Sequence, residues 1–85
     1  MYQVIVPPKV VKEISKLDKR YRQAIGARID SLSTNPLVGK KLDPPFAHLR
    51  SLRVGVYRII YQVNKQNETI YVFTAGHRGK VYKRK

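Results

Sequence analysis

The residue types best suited to chemistry concentrate at the end of this 85-residue chain, in FTAGHRGKVYKRK (73–85). Five Lys and Arg side chains stand there with one imidazole and one phenol, and with no carboxylate among them. A solvated basic tail is one interpretation, and a phosphate-handling site is the other. In the second case Arg78 and Lys80 bind the anion. His77 either caps backbone groups or contacts the substrate, and Tyr82 is a candidate proton carrier because neighbouring cations lower the pKa of a phenol.

A further arginine interrupts the apolar segment VYRIIYQV (56–63). Successive side chains of a strand point to opposite faces. This alternation places Arg58 on the face opposite to Tyr57, Ile59, Tyr61 and Val63. A guanidinium inside an apolar strand must be paired, or must lie at a cleft where its planar fork meets an anion.

Two more arginines precede this strand across a predicted tight turn at Gly55. We expect Arg50 and Arg53 to point toward the same cleft as Arg58, and the alternative is that both are solvated sheet residues. If the last strand pairs with segment 56–63, Arg58 and Arg78 approach one another. A phosphate between them would relieve the repulsion of two like charges.

Several other kinds of site do not fit this composition. Metal-dependent nucleases hold their ions with clustered carboxylates, whereas the five acidic residues of this chain are scattered and its two histidines are distant. The glycine-rich phosphate-binding loops G-x-x-x-x-G-K-[ST] and G-x-G-x-x-G are missing. Cysteine is absent, so no thiolate can ligate zinc or act as a nucleophile. We therefore expect a site without metal or cofactor.

The formal net charge of +13 indicates a polyanionic partner. Phosphate backbones bind such surfaces by counterion release. Binding of RNA without catalysis remains an alternative. A membrane surface is not favoured, because the sequence has no basic amphipathic helix with an aromatic face. No apolar segment approaches the length of about 20 residues that a spanning helix needs. Together with the lack of cysteine, this predicts a cytoplasmic protein.

The apolar periodicity predicts the element order β-α-α-β-β-β. YQVIV (2–6) has the composition of a strand, a short helix follows Pro7 and Pro8, and a second helix begins after the N-cap candidate Asp18 and ends near TNP (34–36). A proline-rich loop over 35–47 leads to three strands, at 48–54, 56–63 and 69–75. We expect a single domain over 1–85 with an α+β fold. Its antiparallel sheet is covered on one face by the helical hairpin.

The segments LRVGVYRIIYQV and IYVFTAGHRGKVYKR resemble the RelE/ParE superfamily of bacterial and archaeal toxins, and the likeness covers nearly the whole chain. The resemblance implies a RelE-like microbial RNase fold. It also implies a toxin of a type II toxin–antitoxin system, bound by a RelB-like antitoxin through an acidic or amphipathic segment. RelE-like members cut mRNA in the ribosomal A site without a metal, whereas ParE-like members poison DNA gyrase.

The resemblance also carries residue roles. RelE-like members have a cation before the Y-R strand, an arginine in that strand, an arginine after the last strand and a C-terminal tyrosine, and the corresponding places here hold Arg53, Arg58, Arg78 and Tyr82. It implies that Arg58, Arg78 and Tyr82 are catalytic. The phosphate-binding set is then Arg50, Arg53, His77 and Lys80. The alternating lysine pair of some RelE-like toxins is replaced by LRSLR, so Arg50 and Arg53 must substitute. The expected activity is metal-independent, ribosome-dependent mRNA cleavage that leaves a 2′,3′-cyclic phosphate; a gyrase poison and an inactive RNA-binding relative are the alternatives.

Overall fold

The computed structural model describes the backbone of residues 1–77 and the side chains of residues 1–76. It confirms the predicted order of strands and helices and adds one short strand inside the loop. The elements are β1 (Gln3–Ile5), α1 (Pro8–Ser15), α2 (Lys19–Ser31), β2 (Lys40–Lys41), β3 (Arg50–Val54), β4 (Tyr57–Asn64) and β5 (Thr69–His77). None of the helices in the described part of the chain is long and apolar enough to cross a membrane.

The strands form one five-stranded sheet in the order β1-β5-β4-β3-β2. The three consecutive pairs from β2 to β5 are antiparallel, as expected for strands joined by short connections. The expectation of a wholly antiparallel sheet is corrected at β1, which pairs parallel with β5 from Gln3↔Thr69 to Ile5↔Tyr71. The helical hairpin after β1 carries the chain across the sheet, so β1 is free to fill the open edge of β5. The fold is α+β with a mixed sheet.

The hydrophobic core lies between the two helices and one face of the sheet. The predicted shared face of Tyr57, Ile59, Tyr61 and Val63 is the core face of β4, because Ile59 and Tyr61 are fully buried while Tyr57 and Val63 pack against the same cluster. The other buried members of this cluster are Val10, Ile25, Ile29, Leu32, Leu52, Ile70, Val72 and Ala75. The face of β4 that carries Arg58 is therefore turned away from the helices.

A two-residue turn sets the register between β3 and β4. Val54 pairs with Tyr57, and Gly55 has a φ of +61° at the first central position of the turn. This position in a hairpin favours glycine because other residues are strained at positive φ. A Cβ on Gly55 would also lie 3.0 Å from Cε1 of Tyr21. Register in a hairpin follows from its turn, so Gly55 determines which residues of β3 and β4 face each other.

A bulge in β5 connects the sheet to the first helix. Ile60 pairs with Thr74 while Tyr61 pairs with Val72, which leaves Phe73 as the extra residue of β5. The carboxylate of Glu13 accepts hydrogen bonds from the Thr74 hydroxyl at 3.0 Å and from the Ala75 amide at 3.3 Å. Helix α1 thereby holds β5 close to its C-terminal end.

Candidate functional site

The central feature of the site is a pair of arginines on neighbouring strands. Arg53 of β3 and Arg58 of β4 are direct cross-strand partners. Their neighbours Leu52 and Ile59 point into the core, so both arginines lie on the face that the helices leave open. Arg53 is exposed, whereas Arg58 is half-buried and its Nε is shielded from solvent. Two guanidinium groups so placed favour an anion that both can contact.

A cleft of about 450 Å³ opens beside this pair. Four cations line it, namely Lys40, Lys41, Arg53 and Arg58. Asp43 is the only acidic residue among its described lining residues, and Val38, Leu42 and Ser51 complete the wall. A concave surface with one predominant sign of charge concentrates counter-ions of the opposite sign. The cleft is therefore suited to a phosphodiester.

The strand that carries the two lysines is held by a buried tyrosine. The Tyr61 hydroxyl donates to the Pro36 carbonyl at 2.9 Å and accepts from the Gly39 amide at 2.8 Å. Burial raises the pKa of Tyr61, against the lowering effects of the Gly39 amide and of Arg50. The phenol therefore remains protonated and able to donate to Pro36.

Arg50 lies on the other face of the sheet, so the structure does not bring it together with Arg53. It pairs with Tyr61 across β3 and β4. Its guanidinium donates to the carbonyls of Gly39 at 2.7 Å and Leu37 at 3.3 Å. The expectation that Arg50 points into the cleft is wrong, because residues three apart in a strand face opposite sides.

The remaining candidate residues follow β5 in the sequence. Arg58 pairs with Gly76, so β5 runs beside Arg58 before it ends at His77. This confirms the expectation that the last strand pairs with the strand of Arg58. Arg78, Lys80 and Tyr82 lie outside the described residues, as does the side chain of His77.

Sequence reasoning did not name Lys40 and Lys41 as residues of the cleft, which both of them line. They form β2, in which Lys40 pairs with Ser51 and Lys41 with Arg50. A two-residue strand has no periodicity to detect. The adjacent lysines after Gly39, in a long proline-rich loop, were the available signal.

The described residues contain no group of three His, Cys, Asp or Glu side chains that could hold a metal ion. The cleft itself is lined by four cations. Guanidinium and ammonium groups stabilise negative charge that develops on a phosphate, and they need no bound ion to do so.

Comparison with known proteins identifies the family. Residues 4–82 match the family described as ParE toxin of type II toxin-antitoxin system, parDE. Toxin RelG of Mycobacterium tuberculosis is 32% identical over 86% of this chain and 86% of its own length.

Solved structures give the same result. A chain in the toxin–antitoxin complex RelBE2 of Mycobacterium tuberculosis superposes with a TM-score of 0.81, at 30% identity, over 91% of this chain and 98% of that chain. A chain in the archaeal RelE-RelB complex of Pyrococcus horikoshii reaches 0.74 at 25% identity, over 94% and 98%. The isolated RelE toxin of E. coli shares the fold, with a TM-score of 0.76 at 19% identity over 96% and 89%. The chain belongs to the RelE/ParE family of toxins of type II toxin–antitoxin systems.

Proposed function

We propose that this toxin is a metal-independent, ribosome-dependent endoribonuclease that cleaves mRNA in the ribosomal A site and so inhibits translation. The observation that carries the proposal is the arginine pair Arg53–Arg58 on the wall of a cleft rich in cations. The RelE-type relatives of the chain support it. This activity belongs to the cytoplasm, where ribosomes translate.

The reaction follows from the chemistry of RNA and the charges of the cleft. The 2′-hydroxyl loses its proton and its oxygen attacks the adjacent phosphorus, which forms a phosphorane with extra negative charge. The bond from phosphorus to the 5′-oxygen then breaks, and that oxygen takes up a proton. The products are a 2′,3′-cyclic phosphate and a 5′-hydroxyl.

Each proposed residue has one role in these steps. Arg53 and Arg58 stabilise the charge of the phosphorane, a contribution that is typically worth about 100- to 1000-fold in rate for one donor. Among the residues outside the described part, Arg78 joins them at the phosphate and Tyr82 transfers a proton. Proton transfer by such a general acid or base contributes about 100- to 10000-fold in rate. His77 and Lys80 contact the substrate.

The proposed partner, besides mRNA and the ribosome, is a RelB-like antitoxin. The solved structures similar to this chain include toxin–antitoxin complexes. A chain of net charge +13 is complemented by an acidic or amphipathic segment. We expect the two proteins to co-purify when only one carries a tag, and clean separation at physiological salt contradicts this.

The test is cleavage of mRNA on translating ribosomes, read by primer extension. The wild-type chain is expected to leave cuts at A-site codons, and Arg58→Ala and Tyr82→Phe are each expected to abolish them. Arg28→Ala is the matched control, because Arg28 is exposed on α2, away from the cleft. Intact messages with folded wild-type protein overturn the proposal, and a Tyr82→Phe variant that cuts normally overturns the role of Tyr82.

A second function is favoured by the family description, which names ParE. Under this alternative the chain poisons DNA gyrase and does not cut RNA. A supercoiling assay distinguishes the two, because inhibition of gyrase together with intact messages supports the gyrase alternative. If neither assay responds while RNA binds with a steep salt dependence, the chain is an RNA-binding relative without activity.

A further inference from the structure

We propose that Lys40 is a further phosphate-binding residue of the cleft and that Tyr61 is the positioning residue that holds it there. The inference rests on the proposed function for the identity of the substrate, a single-stranded RNA. It adds a cation that comes from β2, outside the set of candidate residues named from the sequence.

The register of the sheet places Lys40 on the same face as the arginine pair. Lys40 pairs with Ser51, and Ser51 lies two residues before Arg53 on the same strand. Positions two apart in a strand share a face, and Ser51, Arg53 and Lys40 all line the cleft. Lys40 is exposed, so its ammonium group reaches solvent in the absence of an anion. A phosphate bound between Lys40 and the arginines would neutralise like charges of three strands at once.

The strand that carries Lys40 is too short to hold itself in place. Its two residues pair only with Arg50 and Ser51 at the edge of the sheet. The preceding residue, Gly39, is buried and fixed by hydrogen bonds at both ends of its backbone. Its amide donates to the Tyr61 hydroxyl at 2.8 Å and its carbonyl accepts from Arg50 at 2.7 Å. These bonds hold the peptide groups on either side of Gly39, and Lys40 follows directly.

Close packing makes this arrangement specific. A Cβ on Gly39 would lie 2.6 Å from the Tyr61 hydroxyl oxygen, so the backbone must approach the phenol without a side chain between them. Tyr61 lies three residues after Arg58 in β4. Strand β4 thus carries both the catalytic Arg58 and the phenol of Tyr61 that positions Lys40. The position of Lys40 is therefore linked to that of Arg58.

The test measures how binding of a short single-stranded oligouridine depends on salt. For single strands, log K decreases with log salt, and the magnitude of this slope is smaller by about 0.7 for each phosphate contact that is lost. We refer to this magnitude as the slope. Lys40→Ala is expected to lower the slope by this amount, and Lys40→Arg is expected to restore it. Lys65→Ala, which removes an exposed lysine from the turn after β4, is expected to leave the slope at the wild-type value.

Tyr61→Phe separates positioning from stability. It keeps the ring in the core and is expected to lower the slope as Lys40→Ala does, with no further decrease when the two changes are combined. Gly39→Ala is expected to act in the same way through displacement of the same peptide. Tyr71→Phe is the control, since Tyr71 lies exposed on β5 away from Gly39. A purely structural role predicts a less stable Tyr61→Phe protein whose slope is unchanged while it is folded.

The outcomes separate this inference from the proposed function. A wild-type slope for Lys40→Ala overturns the role of Lys40, whether or not the chain cleaves mRNA. A wild-type slope for both Tyr61→Phe and Gly39→Ala overturns the positioning role. If the slopes change as expected but messages stay intact on ribosomes, the proposed function fails and Lys40 is a residue of an RNA-binding site.

Discussion

Arg53 and Arg58 face each other directly across β3 and β4, in a register that the Gly55 turn determines. Like charges at directly opposed positions of a sheet destabilise it. The sequence keeps this unfavourable pair at the edge of a cleft lined by two further cations, Lys40 and Lys41. We expect this arrangement to cost stability in the free protein, a cost that a bound polyanion would offset.

Neutralising one arginine should therefore separate stability from activity. Arg53→Gln is expected to raise the free energy of unfolding by about 0.2–1 kcal/mol at low salt, because it removes the opposed like charge. The same change is expected to slow mRNA cleavage by about 100- to 1000-fold. Urea unfolding and cleavage on ribosomes measure the two effects, with Arg28→Gln on α2 as the control. A less stable variant that cuts at the wild-type rate contradicts the expectation.

Removal of the Tyr61 hydroxyl should destabilise the fold. Tyr61→Phe leaves the Gly39 amide and the Pro36 carbonyl without their side-chain partner. Loss of a partner for a buried backbone group costs about 1–3 kcal/mol. Urea unfolding should show this decrease, while Tyr71→Phe on the exposed surface should leave the free energy of unfolding close to the wild-type value.

The pH dependence of stability should report the same phenol. Burial raises the pKa of Tyr61 in the folded protein above its ordinary value of about 10. The unfolded chain therefore ionises first, so the contribution of Tyr61 is present below about pH 10 and is lost as the pH rises toward the folded value. The difference in unfolding free energy between wild type and Tyr61→Phe should shrink over this range. A constant difference contradicts the raised pKa.

Two glycines should respond in opposite ways to alanine. Gly39→Ala is expected to destabilise the protein, because the new Cβ would lie 2.6 Å from the Tyr61 hydroxyl. Gly26→Ala places its Cβ in open space inside α2, with nothing within 4 Å. Alanine in a helix interior is favoured over glycine by about 0.8–1.0 kcal/mol. Thermal unfolding should therefore show a lower Tm for the first variant and a higher Tm for the second.

The contact between α1 and the bulge of β5 should be needed for stability. Glu13→Ala removes the acceptor for the Thr74 hydroxyl and for the Ala75 amide. We expect a loss of about 1–3 kcal/mol in the free energy of unfolding, with Glu13→Gln less affected because it retains an amide oxygen. Asp30→Ala on α2 is the comparison for loss of an exposed acidic residue. Equal stability of Glu13→Ala and wild type contradicts the assignment.

The order of elements and the face of Arg58 could be predicted from the sequence because both follow from local periodicity. Apolar spacing indicated the two helices, and alternation in VYRIIYQV placed Arg58 away from the core. The tight turn at Gly55 was also predicted, but that Arg53 pairs with Arg58 follows only from the observed register. Alternation also excludes Arg50 from the face of Arg53, since the two are three residues apart, and stricter use of that rule would have predicted its position.

Other features depend on contacts between distant segments and leave little local signal. The parallel pairing of β1 with β5 joins residues at the two ends of the described chain. The bulge at Phe73 has neither glycine nor proline to mark it. The position of Lys40 depends on a hydrogen bond between Gly39 and Tyr61, which are 22 residues apart. These features are determined by packing rather than by propensity.

Both outer strands of the sheet are short, with three residues in β1 and two in β2. Long, flat, apolar edges invite strand-by-strand self-association, whereas brief edges and lysines discourage it. At one edge of the sheet, β2 consists of two lysines. At the other edge, β1 is followed by Pro7 and Pro8, which cannot donate backbone hydrogen bonds to a further strand. Among the described residues, neither outer strand therefore offers a long edge to which another copy of the chain could add a strand.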